Sequence, residues 1–380
     1  MDIRTRCIHV NNEEKDITGA VSVPIYQSAT FAHPAVGEST GYDYSRLQNP
    51  TREHLEKIVK NLENGDDCLA FSSGMAAISA LMELFSPGDH LIVSDDTYGG
   101  TNRLFQNICK KNLLSFNYIN TSDLTEIEKH ISSKTKAVYI ETPTNPMMQV
   151  TDIKEVAGLA KKHGILCIVD NTFLTPYYQQ PLLFGADIVI HSGTKYLGGH
   201  NDTLAGFLVT ARSELSEKLR FIIKTTGAGL SPFDSWLLIR GIKTLVVRLD
   251  RQQENAIKIA KWLCVQPKVK KVFYVGLENH PSYEISKRQA TGFGGMISFE
   301  VDSEKTTHQI LKNVKLVLFA ESLGGVETLI TFPMMQTHAD VPLKEREAKG
   351  INNKLLRLSV GIEACDDIIE DLRQAIEGEE

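Results

Sequence analysis

Five short runs rich in valine and isoleucine constrain this chain more than any other feature: HLIVSD (90–95), AVYIET (137–142), ILCIVD (165–170), DIVIHS (187–192) and AGFLVT (205–210). Each is too short for a buried helix and too uniformly apolar for a strand with one wet face. Each therefore reads as a strand covered on both sides. Amphipathic segments fall between several of them, namely MAAISALMELF, TNRLFQNICKK, LTEIEKHIS and IKEVAGLAKKH. Strand–helix alternation over about 150 residues predicts an α/β fold around a largely parallel sheet.

The flanks differ from this centre. The first fifty residues are rich in loop formers and hold no long periodic helix, so 1–50 is expected to be an arm that packs on something else. The large domain is placed at 51–244, opening with TREHLEKIVKNLEN. Beyond residue 230, SPFDSWLLIRGIKTLVVRLDRQQENAIKIAKWLCVQ predicts one long or kinked helix, starting at Ser231 or Pro232 with Gly241 as its bend. VKKVFYVG, GGMISFEV and KLVLFAE follow as strands, with helical TTHQILKNV and CDDIIEDLRQAIE around them. This α+β texture places a smaller domain at 245–380.

Composition removes several function classes. The 380 residues, 42% of them hydrophobic, suffice for a substantial core in roughly two domains. With a net charge of −6 and the basic residues dispersed among acids, no face suits a nucleic-acid backbone. No run approaches the ~18 to 20 apolar residues of a membrane span, and MDIRTRCIHVNNEEKD lacks the apolar core of a secretory signal, so a cytoplasmic protein is expected. Cys7, Cys68, Cys109, Cys167, Cys264 and Cys365 are scattered without CxxC or metal-ligand spacing, and read as reduced thiols with no metal site.

Polar residues stand where the apolar runs stop: Asp170 after ILCIV, Ser192 after DIVIH, and Thr142 to Asn145 after AVYI. Ligands of open α/β sheets bind outside the carboxyl ends of strands, so these residues are expected to converge. Ahead of MAAISALMELF, FSSGMAA puts Ser72, Ser73 and Gly74 at a helix N-terminus, which favours an anion. Alone, this is an ordinary serine cap; with the hydroxyls of Ser192 and Thr194 it becomes a phosphate site. Lys195 follows those hydroxyls in HSGTKYLGGHND. In a loop such a lysine is usually a solvated charge, but burial or a neighbouring cation favours its neutral amine, which attacks carbonyl carbon. Asp170, otherwise a cap for the next segment, can hold a proton on a pyridine nitrogen. GTK is not a P-loop, because GxxxxGK[ST] is absent.

YSRLQNPTRE, FSSGMAAI, DDTYGGT, ETPTNP, VDNTF, HSGTKYLGGHND, AESLGGVETLI and LLRLSVGIE, in this order along the whole chain, resemble the Cys/Met-metabolism family of pyridoxal-phosphate enzymes of fold type I. The resemblance implies pyridoxal 5'-phosphate as cofactor, attached to Lys195. Ser73, Gly74, Met75, Ser192 and Thr194 would hold its phosphate, and Tyr44 and Arg46 would reach it from a neighbouring subunit. Tyr98 would stack on the ring and aid proton transfer, Asp170 would pair with the ring nitrogen, and Asn145 would lie by the ring hydroxyl. Arg357 would bind the substrate α-carboxylate, and Ser322 would position Lys195. A homotetramer built as a dimer of dimers is implied.

Within the family, GESTGYDYSRLQNPTRE, SPFDSWLLIRG and AESLGGVETLITFPMMQTHADVP resemble bacterial cystathionine γ-synthases, some of which are also O-acetylhomoserine thiol-lyases. Arg103 is then a candidate for a distal carboxylate and Glu321 for the amino group of cysteine or cystathionine, with Asp43 beside them; for Asp43 and Glu321 a structural polar contact is the equal alternative. The expected reaction is γ-replacement on an O-acyl homoserine by cysteine or sulfide. Cystathionine β- or γ-cleavage is the second reading. A non-catalytic binding protein of the same fold is the third, and the presence of Lys195, Asp170, Tyr98 and Arg357 speaks against it.

Overall fold

The computed structural model describes residues 1–9, 18–339 and 341–378. Seven strands, Asp67–Phe71 (β1), His90–Ser94 (β2), Ser115–Ile119 (β3), Thr135–Glu141 (β4), Leu166–Asp170 (β5), Ile188–Ser192 (β6) and Gly206–Thr210 (β7), form one sheet of order β1-β7-β6-β5-β4-β2-β3. β3, β2, β4, β5 and β6 pair in parallel, and β7 alone runs against both its neighbours. The carboxyl ends of β2, β4, β5 and β6 consequently share one edge, the geometry expected from the polar residues that end these runs.

Both faces are covered except at the edge strand β3, where Ser115 and Asn117 are exposed, which is why the inner apolar runs carry no wet side. Leu69, Phe71, Ile190 and Leu208 meet Ala77 and Leu81 of the helix Gly74–Met82, and Leu219 and Ile223 of the helix Ser213–Thr226. The alternate residues Cys68, Ala70, Val189 and Val209 face Leu55, Val59 and Leu62 of the helix Pro50–Glu63. That helix is bounded by its own sequence. Asn49 accepts the N–H groups of Thr51 and Arg52, Pro50 occupies the first turn, and Asn64 closes the end in the left-handed region.

A second sheet holds Val269–Phe273 (β8), Met296–Val301 (β9), Leu318–Phe319 (β10), Leu329–Thr331 (β11) and Leu355–Ser359 (β12) in the order β10-β11-β12-β9-β8. Its core joins Ile297, Phe299, Leu356 and Leu358 to the helices Leu245–Leu263 and Cys365–Glu377 through Ile259, Leu263, Ile368 and Leu372. Leu245–Leu263 links the two halves, with Leu245 and Leu249 in the first core and Ala256 to Leu263 in the second.

Two elements differ from expectation. The long helix is two, Pro232–Ile242 and Leu245–Leu263, broken at Lys243 and Thr244 rather than at Gly241. Thr244 ends the first helix by donating both its amide and its hydroxyl to the Gly241 carbonyl. Gly241 has another reason: a Cβ there would stand 2.3 Å from the Gly198 carbonyl oxygen, so glycine lets the helix touch the turn after Lys195. KLVLFAE gives only the two-residue β10, because the amides of Lys315, Leu316 and Val317 donate to the Asp371 carboxylate instead of to a ladder.

Candidate active site

The edge formed by β4, β5 and β6 opens into a cavity of about 370 Å³. Ser73, Gly74, Met75, Tyr98, Asn145 and Asp170 line it, as do Ser192, Thr194, Lys195, Glu321, Ser322 and Arg357. At one end the helix Gly74–Met82 presents its first N–H groups, capped by Ser73 Oγ, which accepts from Ala76 N at 3.0 Å. A Cβ at Gly74 would lie 3.1 Å from Ser192 Cβ, and one at Gly206 only 2.2 Å from the Ser73 carbonyl oxygen. Glycine at both positions brings the helix terminus against the end of β6. Free backbone donors, a helix dipole and the hydroxyls of Ser192 and Thr194 suit a phosphate.

At the floor, Asp170 Oδ1 accepts from the hydroxyl of Thr172 at 2.6 Å and from its amide at 3.1 Å. Thr172 Oγ1 also accepts the Ser192 amide at 2.9 Å, tying the ends of β5 and β6 together. Burial raises the Asp170 carboxyl above its ordinary value, and the Thr172 hydrogen bonds pull it back down. Across from it stands Glu141, pushed well above the carboxylate range by burial and by the charge of Asp170. The Asp170 carboxylate, at the end of β5, complements a protonated ring nitrogen.

Lys195 sits in the turn that follows β6, and its Nζ donates to Ser322 Oγ at 2.8 Å. Burial, reinforced by the Arg357 guanidinium, lowers the amine to about 8. An amine so poised reacts with an aldehyde far more readily than a solvated lysine. Arg248 braces the turn: its guanidinium donates to the carbonyls of Tyr196 at 2.8 Å and Gly241 at 2.9 Å. Ser322 holds φ at +87°, an uncommon conformation for a residue with a side chain, and its carbonyl accepts from Arg357 Nη2 at 2.9 Å.

Arg357, on β12, is 1% exposed and donates to Asn145 Oδ1 at 2.8 Å and Thr331 Oγ1 at 3.1 Å. Burial lowers its guanidinium to about 10. Its Nε has no hydrogen-bond partner, and among the described residues Glu321 and Glu141 act on it only through space, without an ion-pair contact. A buried cation without a counter-ion calls for an anion from outside the chain, and its planar fork matches a carboxylate. Glu321 and Ser322 also border a wider, open volume of about 1110 Å³ reaching Asn201 and Ser231. A separate groove of about 630 Å³ near Lys270, Lys271 and His280 shares no lining residue with this cavity.

Four sequence candidates are not brought to this chain's own cavity. Tyr44 and Arg46 lie on the surface, the guanidinium 5.6 Å from the Tyr44 ring centroid and bonded to the Lys224 carbonyl. Asp43 contacts Ser39 Oγ at 3.0 Å and His33 Nε2 at 3.5 Å within the arm. Arg103 is on the exposed side of the helix Gly99–Asn107. Conversely, Glu141 and Thr172 line the cavity without having been singled out. The available signal for Glu141 was that AVYIE and CIVD, read as parallel neighbours, both end in an acid.

The chain matches the family of Cys/Met metabolism PLP-dependent enzymes over residues 4–377. It is 52% identical over 379 residues to a cystathionine gamma-lyase of Bacillus subtilis (strain 168), covering 99% of this chain and 100% of that one. It is 50% identical to a cystathionine gamma-synthase/O-acetylhomoserine (thiol)-lyase of the same organism, covering 98% and 96%. Against a cystathionine beta-lyase of Lactococcus lactis subsp. cremoris (strain MG1363) the identity is 48%, covering 99% of each. The crystal structure of cystathionine gamma-lyase from Lactobacillus plantarum complexed with L-serine superposes with a TM-score of 0.97 at 44% identity, over 99% of each chain. A phosphate cradle, a reactive amine and a buried carboxylate, gathered at one strand edge, fit the aldehyde-bearing pyridine phosphate that this family uses, and the chain belongs to the Cys/Met metabolism PLP-dependent enzymes, within their cystathionine synthase and lyase branch.

Proposed function

We propose that the protein replaces the γ-substituent of an O-acyl-L-homoserine with the sulfur of cysteine or sulfide, as a cystathionine γ-synthase does. The observation that carries this reading is the Lys195 amine, lowered to about 8 and bonded to Ser322 Oγ. Loss of a γ-substituent requires proton removal at Cα and then at Cβ, so a base must serve two adjacent carbons. Pyridoxal phosphate, when bound, supplies an electron-withdrawing ring conjugated with the substrate's Cα. Ser73, Gly74, Met75, Ser192 and Thr194 hold its phosphate, Asp170 its ring nitrogen and Asn145 its hydroxyl, while Tyr98 contributes an aromatic face and aids proton transfer.

Arg357 orients the substrate by its α-carboxylate. Lys195 takes the Cα proton and moves a second from Cβ, while Ser322 keeps its amine directed. The bond from Cγ to the acyl oxygen breaks and the acid leaves. The incoming thiolate then forms the Cγ–S bond, and protons return to Cβ and Cα. Glu321 receives the distal ammonium group of cysteine, while Arg103 and Asp43, which lie outside this chain's own cavity, reach distal groups only in the assembled tetramer. Tyr44 and Arg46 complete the phosphate site of a neighbouring subunit in a homotetramer of paired dimers. Their surface position on an arm, at 1–50, supports that reading.

Cleavage of cystathionine is the second reading, favoured by the 52% identity to an enzyme named cystathionine gamma-lyase. The test is a product analysis of pure protein. Formation of cystathionine from O-acetyl- or O-succinyl-homoserine plus cysteine, or of homocysteine with sulfide, is the expected outcome. Release of 2-oxobutyrate plus cysteine, or pyruvate plus homocysteine, from cystathionine alone at a faster rate would replace it with the second reading.

A further inference from the structure

β4 and β5 run parallel in register, so Glu141 stands directly across from Asp170 where the two strands end. Both carboxyls are buried and both line the cavity. Two like charges on neighbouring strand ends in a dry site oppose each other's ionisation, and burial raises both carboxyls.

The hydrogen bonds are unequal. Asp170 accepts from the hydroxyl and amide of Thr172 and, at 3.5 Å, from the hydroxyl of Tyr139. These donors favour its anion. Glu141 accepts backbone amides, that of Tyr98 at Oε2, 2.9 Å away, and that of Asn145, whereas Asp170 also has the Thr172 hydroxyl. The charged groups acting on it are Asp170 on β5, Asp96 after β2 and the Arg357 guanidinium on β12, with the phenol of Tyr139 on its own strand. Asp170 and Asp96 oppose a third negative charge, and Arg357 already donates to Asn145, Ser322 and Thr331.

We propose that Glu141 keeps its proton in the folded enzyme at neutral pH, leaving Asp170 the single negative charge of the pair, and that its neutral carboxyl fixes Tyr98 through the backbone amide. Glu141 is thereby a positioning residue with two effects. It preserves the full charge of Asp170 for the ring nitrogen, and it anchors the turn that carries the Tyr98 side chain. The inference is independent of which sulfur reaction the enzyme performs, because it concerns the charge on the floor of the site.

The test uses the holoenzyme and two readouts. At neutral pH the wild type should display the infrared C=O stretch of a buried protonated carboxylic acid, shifting on deuteration and missing from E141Q; absence of the band in wild type would overturn the proposal without reference to any variant. The second readout is the pH titration of the bound cofactor's absorbance. E141Q exchanges one neutral group for another of the same shape, so the midpoint should move by no more than a few tenths of a unit. A negative charge lost beside Asp170 would move it by about one unit or more, and that result also overturns the proposal. E141A should perturb the spectrum where E141Q does not, because alanine gives Tyr98 no acceptor.

Discussion

Ser322 meets two reactive cations at once, with its hydroxyl on Lys195 Nζ and its carbonyl on Arg357 Nη2. Its backbone is held at φ +87° to do so, a conformation costing on the order of 1–3 kcal/mol that the surrounding contacts must offset. Ser322→Ala should lower kcat by roughly 10-fold or more with little change in KM, since the amine loses its acceptor while Arg357 keeps its carbonyl. Steady-state kinetics checks the split. Arg357→Lys exchanges a planar fork for a point charge and should raise KM for the amino-acid substrate by about 10- to 100-fold. In cofactor-stripped protein the rate of pyridoxal-phosphate uptake should rise with pH and level off above about 8, instead of climbing toward 10.5, because burial already disfavours the ammonium form of Lys195. Stopped-flow absorbance reads that midpoint. A midpoint at the ordinary lysine value would mean that the amine is solvated.

At the scale of elements, the turn after β6 is fixed from behind. Arg248 bonds Tyr196 and Gly241 through their carbonyls and Thr244 through its hydroxyl, replacing three partners' solvation with one guanidinium. Arg248→Met would strip the Tyr196 carbonyl of its guanidinium donor in the core, while Gly241 keeps the amide and hydroxyl of Thr244, and should cost about 2–4 kcal/mol in denaturant unfolding. Asp371→Ala strips the acceptor from three successive amides ahead of β10 and should cost a similar amount, about 2–4 kcal/mol. These two contacts also mark what the sequence leaves unreadable. Asp170, Ser192 and Lys195 were legible because each follows an uninterrupted apolar run, and the run locates the strand end. Glu141 closes its own run and looks like one more strand residue until the register sets it opposite Asp170. Arg357 came from the resemblance alone, since LLRLS reads as a strand with alternate polar positions. The shortened β10 depends on Asp371, far along the chain, which no local pattern encodes, whereas the Thr244 break rests on Gly241 three residues before it.

For the whole molecule, the central question is whether one chain holds a complete site. Tyr44 and Arg46 lie outside their own cavity, and the proposed tetramer assigns them to a neighbour's. Mixing separately inactive Lys195→Ala and Arg46→Ala chains, after dissociation and reassembly, should restore part of the activity by forming hybrid subunits with one intact site. No recovery in a demonstrated hybrid would confine each site to one chain. No helix among the described residues is long and apolar enough to cross a membrane. The γ-reaction itself rests on proton transfer at two carbons, and this can be observed apart from any leaving group. Wild-type enzyme incubated in heavy water with L-2-aminobutyrate, followed by proton NMR, should exchange hydrogen at both Cα and Cβ, and Lys195→Ala should exchange neither. Exchange at Cα alone would contradict γ-replacement and leave a β-reaction in its place.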